Sequence, residues 1–161
     1  MAHLQTITPC LWFGGNAAEA VAHYIAIFPD SRVARTSFYG EGGRLPKGEV
    51  LVIEFELDRQ HFMALNAEPL FPFTEAISLV VNCETQAEID YYWAKLGDGG
   101  NEVACGWLKD KFGLRWQIIP TTLGDMLTDP DDARSSRVMA AMMGMVKLDL
   151  PTLRQAYDNP G

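Results

Sequence analysis

Two polar side chains stand two apart in an otherwise apolar run, Arg115 and Gln117 within Leu114-Arg-Trp-Gln-Ile-Ile119. As a strand, the run sends Arg115, Gln117 and Ile119 to one face and Trp116 and Ile118 to the other. Hydrogen-bonding groups set among apolar ones can wall a ligand cavity. An antiparallel strand with one buried and one wet face gives the same pattern. Cys105 lies beside Gly106 and near Lys109 and Lys111 in sequence, where a thiol pKa could fall; an inert buried thiol is the competing reading.

Other spacings carry less. Glu19 and His23 lie four apart on a helical run, a spacing that can hold a metal. Two ligands alone make no site, and an exposed polar pair accounts for them. Asp129-Pro-Asp131-Asp132 has the look of a calcium loop. Ala133 stands at its fifth position and Arg134 where the sharp-turn glycine belongs, so we read a helix start. Gly40-Glu-Gly-Gly-Arg44 lacks the Gly-x-Gly-x-x-Gly spacing and reads as a flexible loop. The missing nucleotide fingerprint counts against a Rossmann-type methyltransferase or dehydrogenase. Neither a Gly-x-Ser-x-Gly elbow nor His-Glu-x-x-His is present.

The elements that must position these residues follow a simple grammar. Residues 4–13 read as a strand, broken by Gly14-Gly15. Asn16, answered by Glu19, opens a helix whose apolar stripe is Ala20, Val21, Tyr24, Ile25 and Phe28. Pro29 ends it. Strands are expected over 32–39, 49–57 and 60–66, with a glycine-rich loop over 40–48 and a turn at Asp58-Arg59. An aromatic, proline-punctuated connector covers 68–73.

The grammar then restarts. Residues 77–82 read as a strand. Thr85 and Glu88 form a full capping box for a helix with Ile89, Tyr92, Trp93 and Leu96 on one face, and Gly97 suits its C-terminal cap. Residues 105–120 read as a hairpin with Lys109-Asp-Lys111 at its polar centre and Gly113 where positive φ is needed. After Pro120 the pattern is helical: 121–127, then 131–145, then a helix capped by Asp149 with Pro151 in its first turn. The middle helix carries Val138, Met139, Met142 and Met143 opposite Arg134 and Arg137. This stripe reads as core, with an adaptable ligand or partner surface as the alternative.

The two halves match 69 positions apart. Asn16 falls on Thr85, Glu19 on Glu88, Tyr24 on Trp93 and Leu11 on Val80. A repeated unit of this size cannot cover its own sheet, so two such units are expected to act together.

The chain has 161 residues, 48% hydrophobic and 21% charged, so one domain over 1–161 or two small fused halves is expected. The net charge of −8 argues against a nucleic-acid partner. Three widely spaced cysteines without Cys-x-x-Cys read as free thiols. With no basic-then-apolar leader and no long apolar run, the expectation is a cytoplasmic protein with no membrane partner.

Several stretches are specific enough to carry a resemblance. They are Ala17-Ala-Glu-Ala20 before His23-Tyr24, Phe28-Pro-Asp-Ser31, Cys105-Gly-Trp-Leu-Lys-Asp110, Phe112-Gly113, Trp116-Gln-Ile118, Ala141-Met-Met143 with Met145, and Lys147-Leu-Asp149. With the duplicated grammar, they resemble the PhnB-like family, whose members carry the label demethylubiquinone 3-methyltransferase. That family is a branch of the vicinal oxygen chelate superfamily, with glyoxalase I, extradiol dioxygenases and fosfomycin or bleomycin resistance proteins.

The resemblance implies an α+β fold of two βαβββ modules, 4–66 and 75–120, the second shortened, and a C-terminal helical tail over 121–161. It also implies a homodimer and a small-molecule ligand in a cavity between the sheets. Metal-dependent relatives place ligands on the first and last strands of each module. Those positions fall here near Pro9, on Met63 or Leu65, near Ser78 and on Gln117. Proline and an aliphatic or thioether side chain do not bind a hard divalent ion, so neither a metal nor another cofactor is expected. Gln117, Ser78, Arg115, Trp107, Pro9 and Leu11 are then the expected ligand-binding residues, and no catalytic residue is assigned. An enzyme of the superfamily (lyase, dioxygenase or transferase) and a resistance-type sequestration protein are the alternative functions.

Overall fold

The computed structural model describes residues 5–159; Leu4, the expected start of the first strand, and the last two residues of the C-terminal tail lie outside them. The chain divides into two compact units at Pro72/Phe73.

The first unit contains β1 (Cys10–Phe13), α1 (Ala17–Ile27), β2 (Arg32–Phe38), β3 (Val50–Leu57) and β4 (Gln60–Asn66). Its sheet runs β1-β4-β3-β2, with β1 parallel to β4 and the other pairs antiparallel. Leu11, Phe13, Ile53, Phe55, Phe62 and Ala64 alternate onto one buried face. The helix buries Ala17, Ala20, Val21, Tyr24 and Ile27. Ile25 and Phe28 are only half-buried, so the stripe leans one position away from the expected one.

β1 is shorter than expected. Its N-terminal extension is replaced by one side chain: Gln5 Nε2 donates to the His61 carbonyl, and the His61 N–H donates to Gln5 Oε1, both at 3.2 Å. The cap of α1 also differs. Asn16 makes no side-chain cap hydrogen bond. Asn66, at the far end of β4, accepts the Ala17 N–H at 3.1 Å and donates from Nδ2 to the Val50 carbonyl at 3.0 Å. Its own carbonyl takes the Tyr39 hydroxyl at 2.7 Å. A buried side chain with two partners, on a residue whose backbone carbonyl is also held, fixes the helix start more firmly than an exposed local cap.

The second unit contains β5 (Ser78–Cys83), α2 (Gln86–Gly97), β6 (Asn101–Glu102), β7 (Trp107–Lys109) and β8 (Arg115–Pro120). The order β5-β8-β7-β6 repeats that of the first sheet. The two-residue β6 is the expected shortening, and β7, at three residues, is short as well. The Thr85–Glu88 capping box is formed, the Glu88 N–H reaching Thr85 Oγ1 at 3.2 Å. Ile89, Trp93 and Leu96 are buried. Gly97 remains helical; the positive φ comes two residues later, at Gly99 (73°). Gly113 has φ 91° in the hairpin turn, as its position suggested. Together the units form an α+β arrangement of two βαβββ modules.

The helical tail follows: α3 (Leu123–Leu127), α4 (Asp132–Met143) and α5 (Leu150–Asp158). Leu123, Met126, Val138, Leu148 and Leu153 make its buried cluster. Asp131 caps α4, and Asp149 caps α5 with Pro151 in the first turn. The methionine stripe divides. Met142 packs against the cluster, whereas Met139 and Met143 are exposed. Among the described residues no helix is long and apolar enough to cross a membrane.

The repeat holds with one adjustment. The helices correspond 69 positions apart, but Leu11 is buried while Val80 is 49% exposed. The buried counterpart of Leu11 is Val81, one residue on. Gly14 to Asn16 join β1 to α1, whereas only Glu84 and Thr85 join β5 to α2. One fewer linking residue shifts the strand phase by one, which exchanges sheet faces.

Candidate functional site

In each unit helix and sheet bury one sheet face, and the other face stays open. On β8, Trp116 and Ile118 are buried, Arg115 and Gln117 are half-buried on the open side, and Ile119, farther along that side, packs against the tail cluster. Register places Val80 and Trp107 on either side of Gln117, and Ser78 and Lys109 on either side of Arg115. The structure thus brings Ser78, Trp107, Arg115 and Gln117 to one face.

Gln117 Nε2 donates to Ser78 Oγ at 2.9 Å. The pair is half-buried, and Trp107 and Val80 hold the register positions on either side of Gln117. This fixes which way the amide points and leaves the amide oxygen, together with the serine hydroxyl proton, available to a ligand. Arg115 is otherwise engaged. Its guanidinium reaches Glu75 Oε1 at 2.6 and 3.0 Å and also donates to the carbonyls of Phe73 (3.4 Å) and Gly113. The Arg115 bond holds the Glu75 carboxyl below the usual carboxylate range. The expected ligand-binding role of Arg115 therefore competes with its salt bridge.

The hairpin that carries Gln117 is fastened by a residue that the sequence presents as turn polarity. Asp110 is 1% exposed. Its carboxylate accepts the Phe112 and Leu114 N–H groups at 2.9 and 3.0 Å and the Trp116 indole N–H at 2.8 Å. The tight turn and the buried strand face are locked by one side chain.

In the first unit the open face carries Cys10, Trp12, Val52, Met63 and Leu65. Leu11 is placed apart from them, on the helix-covered side at 6% exposure. Pro9 precedes β1 and contributes its carbonyl to the Met63 N–H at 2.9 Å. Trp12 is the aromatic group that sequence reading passed over. Its indole N–H donates to the Glu68 carbonyl at 2.8 Å, and its ring meets Phe71 edge-on at 5.1 Å. Correct strand phase was the missing signal, since Trp12 is the neighbour of Leu11. Farther along β4, His61 Nε2 lies 3.5 Å from Glu56, which Arg32 holds in two 2.8 Å contacts.

Register relates the first and last strands of the two units to each other. Cys10 pairs with Met63 as Val80 pairs with Gln117. Met63, rather than Leu65, is the counterpart of Gln117. A thiol, a thioether, an aliphatic group and an amide do not fit a hard divalent ion, and we derive no chemistry through one. Among the described residues no three His, Cys, Asp or Glu side chains group as metal ligands. Burial pushes the Cys83 thiol up to about 11, which leaves it protonated and unreactive near neutral pH.

The sequence profile of the family described as 3-demethylubiquinone-9 3-methyltransferase matches residues 5–119. The solved PhnB protein from Bacillus cereus is 37% identical, with a TM-score of 0.66 over 72% of this chain and 99% of its own. Protein PA1353 from Pseudomonas aeruginosa is 21% identical, with a TM-score of 0.60 over 73% of this chain and 98% of its own. The fosfomycin resistance protein FosX from Listeria monocytogenes, solved with Mn(II) and sulfate, is 14% identical, with a TM-score of 0.53 over 79% and 96%. The last two share the fold alone. No curated protein matches the sequence.

Proposed function

We propose that this chain, which belongs to the PhnB-like family described as 3-demethylubiquinone-9 3-methyltransferase, binds a small organic molecule on the open face of its second sheet. The observation that carries this reading is the Gln117–Ser78 pair, half-buried beside Trp107 and Val80. Apolar walls with few fixed polar groups are how small-molecule sites achieve both affinity and orientation. Binding without turnover is the simplest form of the reading. An amide is no general base at neutral pH, and Ser78 pairs with Gln117 rather than with a histidine or carboxylate that could activate it.

The ligand carries a hydrogen-bonding group beside an apolar or aromatic body, matching the pair and the Trp107 ring. A homodimer belongs to the same reading. β2 is exposed along most of its length at a sheet edge, and two sheet faces are open; such surfaces favour association. A thermal-shift screen of small organic compounds tests the binding, because a ligand selective for the native state raises the melting temperature. Hits whose shift disappears in Gln117→Leu support the site. Hits that shift the variant equally place it elsewhere.

A further inference from the structure

The methionines that leave the tail cluster have a neighbour of matching chemistry. Cys105 Sγ lies 3.8 Å from Met143 Sδ. The two sulfurs belong to different elements, the turn between β6 and β7 and the last residue of α4. Both segments are tied. The Cys105 N–H donates to the Met145 carbonyl and the Gly106 N–H to the Val146 carbonyl, each at 2.8 Å. Cys105 holds φ 59°, which fixes where its side chain leaves the backbone. It is only half-buried, and Met143 is 63% exposed, so an ion can reach both.

Met139, 44% exposed, lies one helical turn before Met143 and shares its face. Its unbranched side chain can swing a third sulfur toward the pair. Met145 is not part of the set, because its sulfur takes the Asp149 N–H at 3.5 Å. One thiol and two thioethers form a soft donor set of the kind that selects Cu(I) over hard divalent ions. Two sulfurs 3.8 Å apart can both lie about 2.3 Å from one ion, the usual metal–thiolate distance.

We propose that Cys105, Met143 and Met139 form a site for a soft monovalent cation, Cu(I). Its residues, in the turn between β6 and β7 and on α4, are not those of the Gln117 face. On binding, the Cys105 S–H bond breaks, a Cu–S bond forms and the proton passes to solvent. The metal stays in its +1 state, so no oxidant or reductant is consumed.

The test is a competition between the full chain and the chromophoric Cu(I) chelator bicinchoninate, without oxygen. Wild-type protein is expected to withdraw about one equivalent of Cu(I). Cys105→Ser should abolish the withdrawal, and Cys10→Ser should leave it unchanged. Met143→Leu should weaken it by at least about tenfold, the scale of losing a group that supports a metal site. Met143 is exposed, so that variant should melt as wild type does and decides the matter even if Cys105→Ser fails to fold. No withdrawal by wild type, equal withdrawal by Met143→Leu, or loss on Cys10→Ser overturns the proposal.

Discussion

The carboxylate of Asp110 accepts the indole N–H of Trp116 at 2.8 Å, joining a turn to the buried face of the strand that follows it. The same carboxylate holds two backbone N–H groups of that turn. Asp110→Ala leaves three donors without this acceptor in a dry environment. The expected loss is on the order of 3 kcal/mol, since each unpaired buried group costs about 1–3 kcal/mol. Asp110→Asn keeps an acceptor and should lose less. Urea unfolding of both variants checks the order.

The two asparagines at the start of α1 should behave in opposite ways. Asn66→Ala removes the acceptor for the Ala17 N–H and the donor to the Val50 carbonyl, and should cost about 2 kcal/mol. Asn16→Ala removes no cap bond and should stay within about 0.5 kcal/mol of wild type. Equal losses in urea unfolding would contradict the cap assignment.

Acid should act on the tail through Asp129. The Tyr157 hydroxyl donates to its carboxylate and holds it below the usual carboxylate range, with the Asp131 N–H adding to the effect. A carboxyl depressed in the folded state contributes stability above its unfolded pKa, about 3.9. That contribution is lost as pH falls from there through the folded pKa. Tyr157→Phe should raise the Asp129 titration toward the ordinary value in carboxyl-detected NMR. An unmoved titration would show that the hydroxyl is not its cause.

Much of the architecture was legible because periodicity and caps report local geometry. Thr85 and Glu88 lie three apart and answer each other, and Asp131 and Asp149 each precede a helix they cap. Distant partners were not legible. Asn66 reaches Ala17 across 49 residues, and nothing near either position signals it. Strand phase was the other blind spot. The residues around Leu11 and Val80 are apolar on successive positions, so alternation gave no face, and counting from the helices inherited the one-residue difference in the connectors. At the site, alternation along β8 placed Gln117 on the open face, but the salt bridge that occupies Arg115 comes from Glu75, 40 residues earlier.

Association should be visible in solution. The proposed homodimer predicts sedimentation of a two-chain species at micromolar concentration, driven by the covering of open faces and the β2 edge. A single species of one chain across that range would contradict it.

The most direct measurement is calorimetric titration of a ligand from the thermal-shift screen into wild type and Gln117→Leu, alongside unfolding curves of both proteins. Gln117 makes one half-buried side-chain bond, so the variant should unfold within about 1 kcal/mol of wild type. Its affinity should fall by about 1–3 kcal/mol, the penalty for leaving a buried ligand group unpaired. A variant that is clearly destabilised yet binds with wild-type affinity would show that Gln117 holds the sheet together and takes no part in binding.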